Sequence, residues 1–256
     1  MDETLIAFLF IFVISIAGLK LKSLTISGAI AACFVGSAIF LGFGYPGLIL
    51  LGLFFGSSSL WSKFKRDQKK SVDDLLEKGE QRDVVQVLAN GGIPALVGIL
   101  NACIPFNGSD VVFTASIAAA NADTWASEIG TLSKQMPRMI FTMKKVKKGT
   151  SGAVSALGTS AAVAGAFLIG ISSYLFFPMS IFDFWVIFFL GFMGNMIDTV
   201  LGASIQVQYQ CPACGKQTEK SFHCHTKGTK IRGFLNNDGV NFLSILVTSF
   251  FACLFI

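Results

Sequence analysis

Charge is scarce in this chain. Only 14% of the 256 residues are Asp, Glu, Lys or Arg, against about 25% in a soluble globular domain. Histidine is scarcer still: the two present, His223 and His225, sit together, which excludes a histidine-based catalytic triad anywhere else. No GxxxxGK[ST] loop occurs, so a Walker-type nucleotide site is excluded too. The opening stretch, MDETLIAFLF, lacks the basic segment that begins a signal peptide. The first apolar run is therefore expected to stay as a membrane span.

What remains is apolar. Hydrophobic residues make up 53% of the chain, with 26 Phe. This composition describes an all-α polytopic membrane protein with one transmembrane domain over residues 1–256. Runs near the ~20 residues needed to cross a bilayer fall at 4–19, 25–41, 45–62, 84–104, 110–129, 152–177, 181–206 and 238–256. They predict eight transmembrane helices.

The basic residues support that count. Lys20 and Lys22 lie between spans one and two. The remaining ones fall in residues 63–83, 130–151 and 207–237, and together these loops hold all 20 Lys and Arg. The alternate loops, near Gly44, Pro105 and Pro178, have none. The positive-inside rule then predicts cytoplasmic basic loops and both termini outside. Spans five and seven run inward, so Asp123, Glu128 and Asp198 belong near the cytoplasmic face. Asn90 on span four, Gly149, Thr150 and Ser151 before span six, and Asn236, Asn237, Asp238 and Asn241 at span eight belong at the same depth. Five polar clusters thus converge on one leaflet.

The window Ala115 to Gly130 organises the rest. It places Asn121, Asp123, Thr124, Ser127 and Glu128 close together at the end of an apolar helix. A carboxylate at mid-bilayer costs at least ~2.5 kcal/mol, so such groups point to a functional site. Asp123, Asp198 and Asp238 are hard oxygen ligands suited to Mg²⁺ shared with substrate phosphates. The alternative is a hydrogen-bonded network that only fixes helix packing. Asn121–Thr124 and Asn195–Thr199 also echo one another on spans predicted to be parallel.

The Gly-rich starts of spans six and eight present free backbone N–H groups that favour anions, or serve as ordinary caps. Residues 63–83 mix charge with Val72, Leu75 and Leu76, as an interfacial amphipathic helix does; a solvated charged loop is the other reading. Lys63, Lys65 and Arg66 there could receive substrate phosphate. Cys211 and Cys214, followed by His223, Cys224 and His225, offer the donors of a tetrahedral zinc site in a small cytoplasmic knuckle-like loop over residues 207–237. Either histidine could complete it, and unmetallated thiols in a flexible loop are the other reading.

Six segments occur in order: QVLANGG (Gln86–Gly92), ADTWASEIG (Ala122–Gly130), GTSGAVSALGT (Gly149–Thr159), IDTVLGASIQ (Ile197–Gln206), CPACG (Cys211–Gly215) and NNDGVN (Asn236–Asn241). The set resembles the integral-membrane family that includes phytyl-phosphate kinase of the vitamin E pathway, over about residues 20–250. Gly152-Ala153 and Asp198-Thr199 stand where that family often has GG and DS. The resemblance implies phosphoryl transfer from a nucleoside triphosphate, CTP or another, to an isoprenoid monophosphate. Asp123, Glu128 and Asp198 would be the catalytic residues. The partners implied are the lipid bilayer and the isoprenoid phosphate, with no nucleic acid. An ion-coupled transporter or flippase and a membrane cytidylyltransferase are the competing readings.

Overall fold

The computed structural model describes residues 3–79 and 81–256, with the backbone alone for Lys70, Ser71 and Asp73. The acidic start at Asp2 lies outside the described residues. The helices are α1 (Glu3–Lys20), α2 (Ile26–Lys63), α3 (Arg66–Asp73), α4 (Val84–Cys103), α5 (Ser109–Gly130), α6 (Ala156–Phe176), α7 (Ile181–Ser204) and α8 (Asn237–Ala252). Between α5 and α6, β1 (Arg138–Met139) pairs antiparallel with β2 (Ala153–Val154). Between α7 and α8, β3 (Gln208–Gln210) pairs antiparallel with β4 (Gln217–Thr218) and β7 (Thr229–Arg232). The hairpin β5 (Phe222–His223) and β6 (Thr226–Lys227) lies in the same loop.

Among the described residues, six helices are long and apolar enough to cross a membrane: α1, α2, α4, α6, α7, and α8 continued to Phe255. The eight expected spans differ from these in two places. The first is α2, whose 38 residues would reach ~57 Å if straight. It is not straight. Gly44 takes φ 59° and ψ −149° inside it, a conformation that favours glycine. Residues eight apart in one helix lie ~12 Å apart along the axis, yet a Cβ on Gly47 would meet the Ile39 side chain at 2.8 Å. Arg82 closes the argument: its carbonyl accepts from Thr25 N at the start of α2, and its guanidinium donates to Ser59 near the end. The two halves, spans two and three of the sequence, therefore form a hairpin.

The second difference is α5. Every residue from Val111 to Ala122 is buried. Gly165 on α6 and Gly191 and Gly194 on α7 leave little room for a Cβ against Asn121, Ala122, Ala118 and Ala119. Small residues let the backbones approach. A helix sheathed by other helices needs no lipid-compatible surface, so α5 can carry Thr114, Ser116 and Asn121 fully buried. The outer helices supply the apolar exterior, through residues such as Phe10, Phe12, Ile30, Trp185 and Phe189.

Capping decides where the chain turns back at one end of the bundle. Asp83 and Gln86 form a reciprocal capping box on α4. Ser155 accepts from Gly158 N at α6, and Asn236 accepts from Gly239 N at α8, at 3.1 and 3.0 Å. These starts meet the C-terminal portions of α5 and α7. Of residues 152–155, expected to open span six, Gly152 lies in a turn, Ala153–Val154 form β2 and Ser155 is the cap. Gly149 and Gly152 both have positive φ, at 80° and 79°. The run is a turned loop, not a helix start. A Cβ on Gly152 would overlap Ala203 of α7, so glycine there lets the loop lie directly on that helix.

Candidate functional site

One polar cavity of about 330 Å³ lies where these ends meet. Asn90, Asp123, Thr124, Ser127, Glu128, Gly149, Thr150, Ser151, Asp198, Asn237, Asp238 and Asn241 all line it. The five clusters expected at one depth thus share one space.

The carboxylates divide into two kinds. Asp123 accepts from Asn195 Nδ2 at 3.1 Å. Asp198 Oδ2 accepts from Ser244 Oγ at 3.3 Å and, with the Asn241 amide assigned so that its nitrogen faces the carboxylate, from that nitrogen at 3.0 Å. Among the described residues neither has a cationic partner. Glu128 and Asp238 do. Lys69 Nζ lies 2.7 Å from Glu128 Oε2, and Ser62 Oγ donates to Oε1 at 2.6 Å. Lys78 Nζ lies 2.6 Å from Asp238 and 2.8 Å from Asp83. Burial opposes the Lys78 charge, but the bonds to Asp238 and Asp83 outweigh it and hold the ammonium above its ordinary pKa. Asp238 is thereby engaged by Lys78, and it does not converge with Asp123 and Asp198 into a three-carboxylate group.

Arg82 faces the same space. Its guanidinium has five N–H donors, and one goes to Ser59 Oγ at 3.2 Å. No carboxylate pairs with it among the described residues. Burial lowers its pKa, opposed by the charge of Glu128.

Several candidates fall elsewhere. Lys63 and Lys65 are exposed and outside the cavity: Lys63 donates to Leu21 O at 2.7 Å, and Lys65 sits over the Phe64 ring. Arg66 also lies outside the lining. Asn121 is sealed in helix packing, donating to Gly165 O at 2.8 Å and accepting from Ser57 Oγ at 3.3 Å. Asn236 serves as the α8 cap. The amphipathic stretch contains α3, whose Lys69 and Val72 are turned into the protein, and Val72 packs on the Gly149 loop.

Sequence reasoning missed Lys69, Lys78, Arg82, Asn195, Gln206 and Glu219 as site residues. Glu219 is the surprising one, since it comes from the Cys/His loop. Its Oε1 accepts from Ser151 Oγ at 3.0 Å and Gln206 Nε2 at 2.7 Å. Burial raises its pKa. A signal existed: Glu219 is the sole acidic residue in residues 207–237, among five basic ones.

In that loop, Cys211, Cys214, His223 and Cys224 bring their ligand atoms within 4.8 Å of one another. His223 Nδ1 is 3.5 Å from Cys214 Sγ and 3.2 Å from Cys224 Sγ. His225 is not part of the group, so of the two histidines the fold selects His223.

Fold and cavity define a multi-pass α-helical membrane protein with a polar cavity at one end of its helix bundle. The model of the integral membrane protein family DUF92 matches residues 9–249. The chain belongs to that family. It is similar to Protein PGR of Arabidopsis thaliana, 37% identical over 97% of this chain and 96% of the relative. An uncharacterised membrane protein of Methanocaldococcus jannaschii is 35% identical over 96% and 92%. Protein VTE6, chloroplastic, of Arabidopsis thaliana is 26% identical over 96% of this chain and 69% of that protein. No solved structure matches.

Proposed function

We propose that the protein is a prenyl-phosphate kinase, moving the γ-phosphoryl group of a nucleoside triphosphate, CTP first among them, to an isoprenoid monophosphate. The P–O bond to the β-phosphate breaks, a bond forms to an oxygen of the acceptor phosphate, and the nucleoside diphosphate leaves. The observation that carries this reading is the meeting, in one cavity, of two carboxylates without a cationic partner and a guanidinium without a carboxylate partner among the described residues. The isoprenoid substrate follows from the resemblance to the phytyl-phosphate kinase family described above.

Asp123 and Asp198 suit Mg²⁺ by donor chemistry: both are hard oxygen donors, and among the described residues their hydrogen bonds come from neutral amides and a hydroxyl. A bound ion would supply charge neutralisation at the transferring phosphoryl group. Arg82 would orient phosphate oxygens through the donors that Ser59 does not take. Asn195, Asn241 and Ser244 hold the two carboxylates in place. The acceptor is already an ionised phosphate, so no strong base is required, in keeping with a cavity that has no histidine lining it.

The assay is purified protein with CTP, Mg²⁺ and a panel of prenyl monophosphates. Prenyl diphosphate and CDP are expected. Pyrophosphate with a CDP-linked lipid would replace the reading with cytidylyl transfer. Neither product from any acceptor, in protein that melts cooperatively, would overturn both.

The cavity would face the cytoplasm, because the loops that surround it are the basic ones. Cysteines introduced as Asn107→Cys and Pro178→Cys, in a background with Cys33, Cys103 and Cys253 changed to Ala, should react with an impermeant maleimide on intact cells. Reaction only after permeabilisation would reverse the orientation.

A further inference from the structure

The Cys/His loop has almost no core. Within residues 207–237 the buried residues are Gln208, Cys211 and Thr218, and its strands are two to four residues long. Strands this short, without an apolar layer beneath them, do not hold a fold in water. The backbone is also bent into left-handed conformations at Cys224 (φ 51°) and His225 (φ 56°), which cost energy in residues other than glycine. Something must compensate.

We infer that Cys211, Cys214, His223 and Cys224 bind one structural zinc ion, and that this site holds Glu219 in the polar cavity. Three thiolates and one imidazole are a closed tetrahedral zinc set. The turn that presents the first pair is already formed: Cys211 N donates to Lys216 O at 2.9 Å, and Gly215 N to Cys211 O at 2.8 Å, with Gly215 at φ 67°.

Glu219 lies between the two halves of the ligand set. The strand before it, β4, is pinned outside the loop, with Thr218 Oγ1 donating to Leu75 O at 2.7 Å. Glu219 N donates to the same carbonyl at 2.9 Å, and Glu77 N donates to Glu219 Oε2 at 3.4 Å. Its other oxygen takes Ser151 and Gln206 inside the cavity. A metal that closes the loop on both sides of Glu219 sets where this carboxylate stands. Zinc therefore acts at a distance on the wall of the cavity, as a positioning element. The inference stands on the loop alone and does not depend on the reaction proposed above.

Two measurements test it on the full-length protein. Protein purified without chelator should contain about one zinc per chain, and Cys214→Ala with His223→Ala should contain none. Hydrogen exchange should then show slow amides at Glu77 and Glu219 in the zinc-loaded protein. Stripping the metal, or the double variant, should speed them by ~10-fold or more, while α5 amides stay protected. Glu219→Gln should keep its zinc. Metal-free protein with slow Glu219 exchange would overturn the zinc site. Zinc-loaded protein whose Glu77 and Glu219 amides exchange alike with and without metal would overturn the positioning role. Loss of protection in α5 as well would make the ion a support of the whole bundle and overturn the local role.

Discussion

Asp123→Asn and Asp198→Asn are each expected to lower turnover by ~10²–10³-fold, the usual cost of one lost electrostatic stabiliser in a preorganised site. The protein should still insert and purify. Asn keeps the shape of Asp, so Asn195 Nδ2 still finds an oxygen at position 123, and Ser244 and Asn241 still find one at 198. What goes is the negative charge. A neutral amide is also cheaper to hold away from bulk water than a carboxylate, so melting temperature should stay level or rise. A packing role predicts the opposite pattern, with an altered melting temperature and turnover within a few-fold of the parent. Steady-state kinetics over a Mg²⁺ titration, beside thermal melting, separates the two. Full turnover in both variants would end the shared-site reading.

Lys69→Met, which removes the buried cation paired with the cavity residue Glu128, should cause a large stability loss. Lys69 is 4% exposed and ties α3 to α5 through Glu128, whose side chain is 26% exposed. Removing one partner of a buried pair costs ~3–5 kcal/mol, because the other charge is left uncompensated. Glu128 keeps Ser62 and some solvent, so a figure near ~3 kcal/mol is expected. At ~2–4 °C per kcal/mol for a chain approaching this length, melting should fall by ~6–12 °C. Adding Glu128→Gln removes the orphaned charge and should restore most of that loss. Additive losses in the double variant would show that the two side chains do not stabilise one another. The pair then could not be what fixes α3 over the cavity.

The turn at Gly44 and the placement of the Cys/His loop were legible in the sequence for local reasons. Apolar runs of spanning length are a statement about each segment and lipid. Lysine and arginine confined to alternate loops are a statement about each loop and the membrane. The spacing of Cys211, Cys214 and Cys224 is likewise local. So were the polar residues of α5 and α7, because carboxylates in apolar runs stand out wherever those runs go. From these, the meeting of Asp123, Asp198 and Asp238 at one end of the bundle could be expected.

Which charges face the cavity was not legible. Lys63, Lys65, Arg66, Lys69, Lys78 and Arg82 share one mixed-charge stretch, and no local pattern tells a solvated cation from one turned inward. The hairpin of α2 and the docking of α3 decide it, by bringing Lys69 to Glu128 and Arg82 to Ser59. Asn121 and Asp123 are two residues apart, yet one is sealed against Gly165 and the other lines the cavity, because a helix turns ~200° between them. His223 and His225 were equivalent by spacing until the turn between β5 and β6 set one apart. Composition and spacing by themselves determined that this chain is a membrane bundle with ionisable groups toward one end. Only the tertiary structure decided which of those groups meet, since pairing depends on which helix faces pack together, and no single segment carries that information.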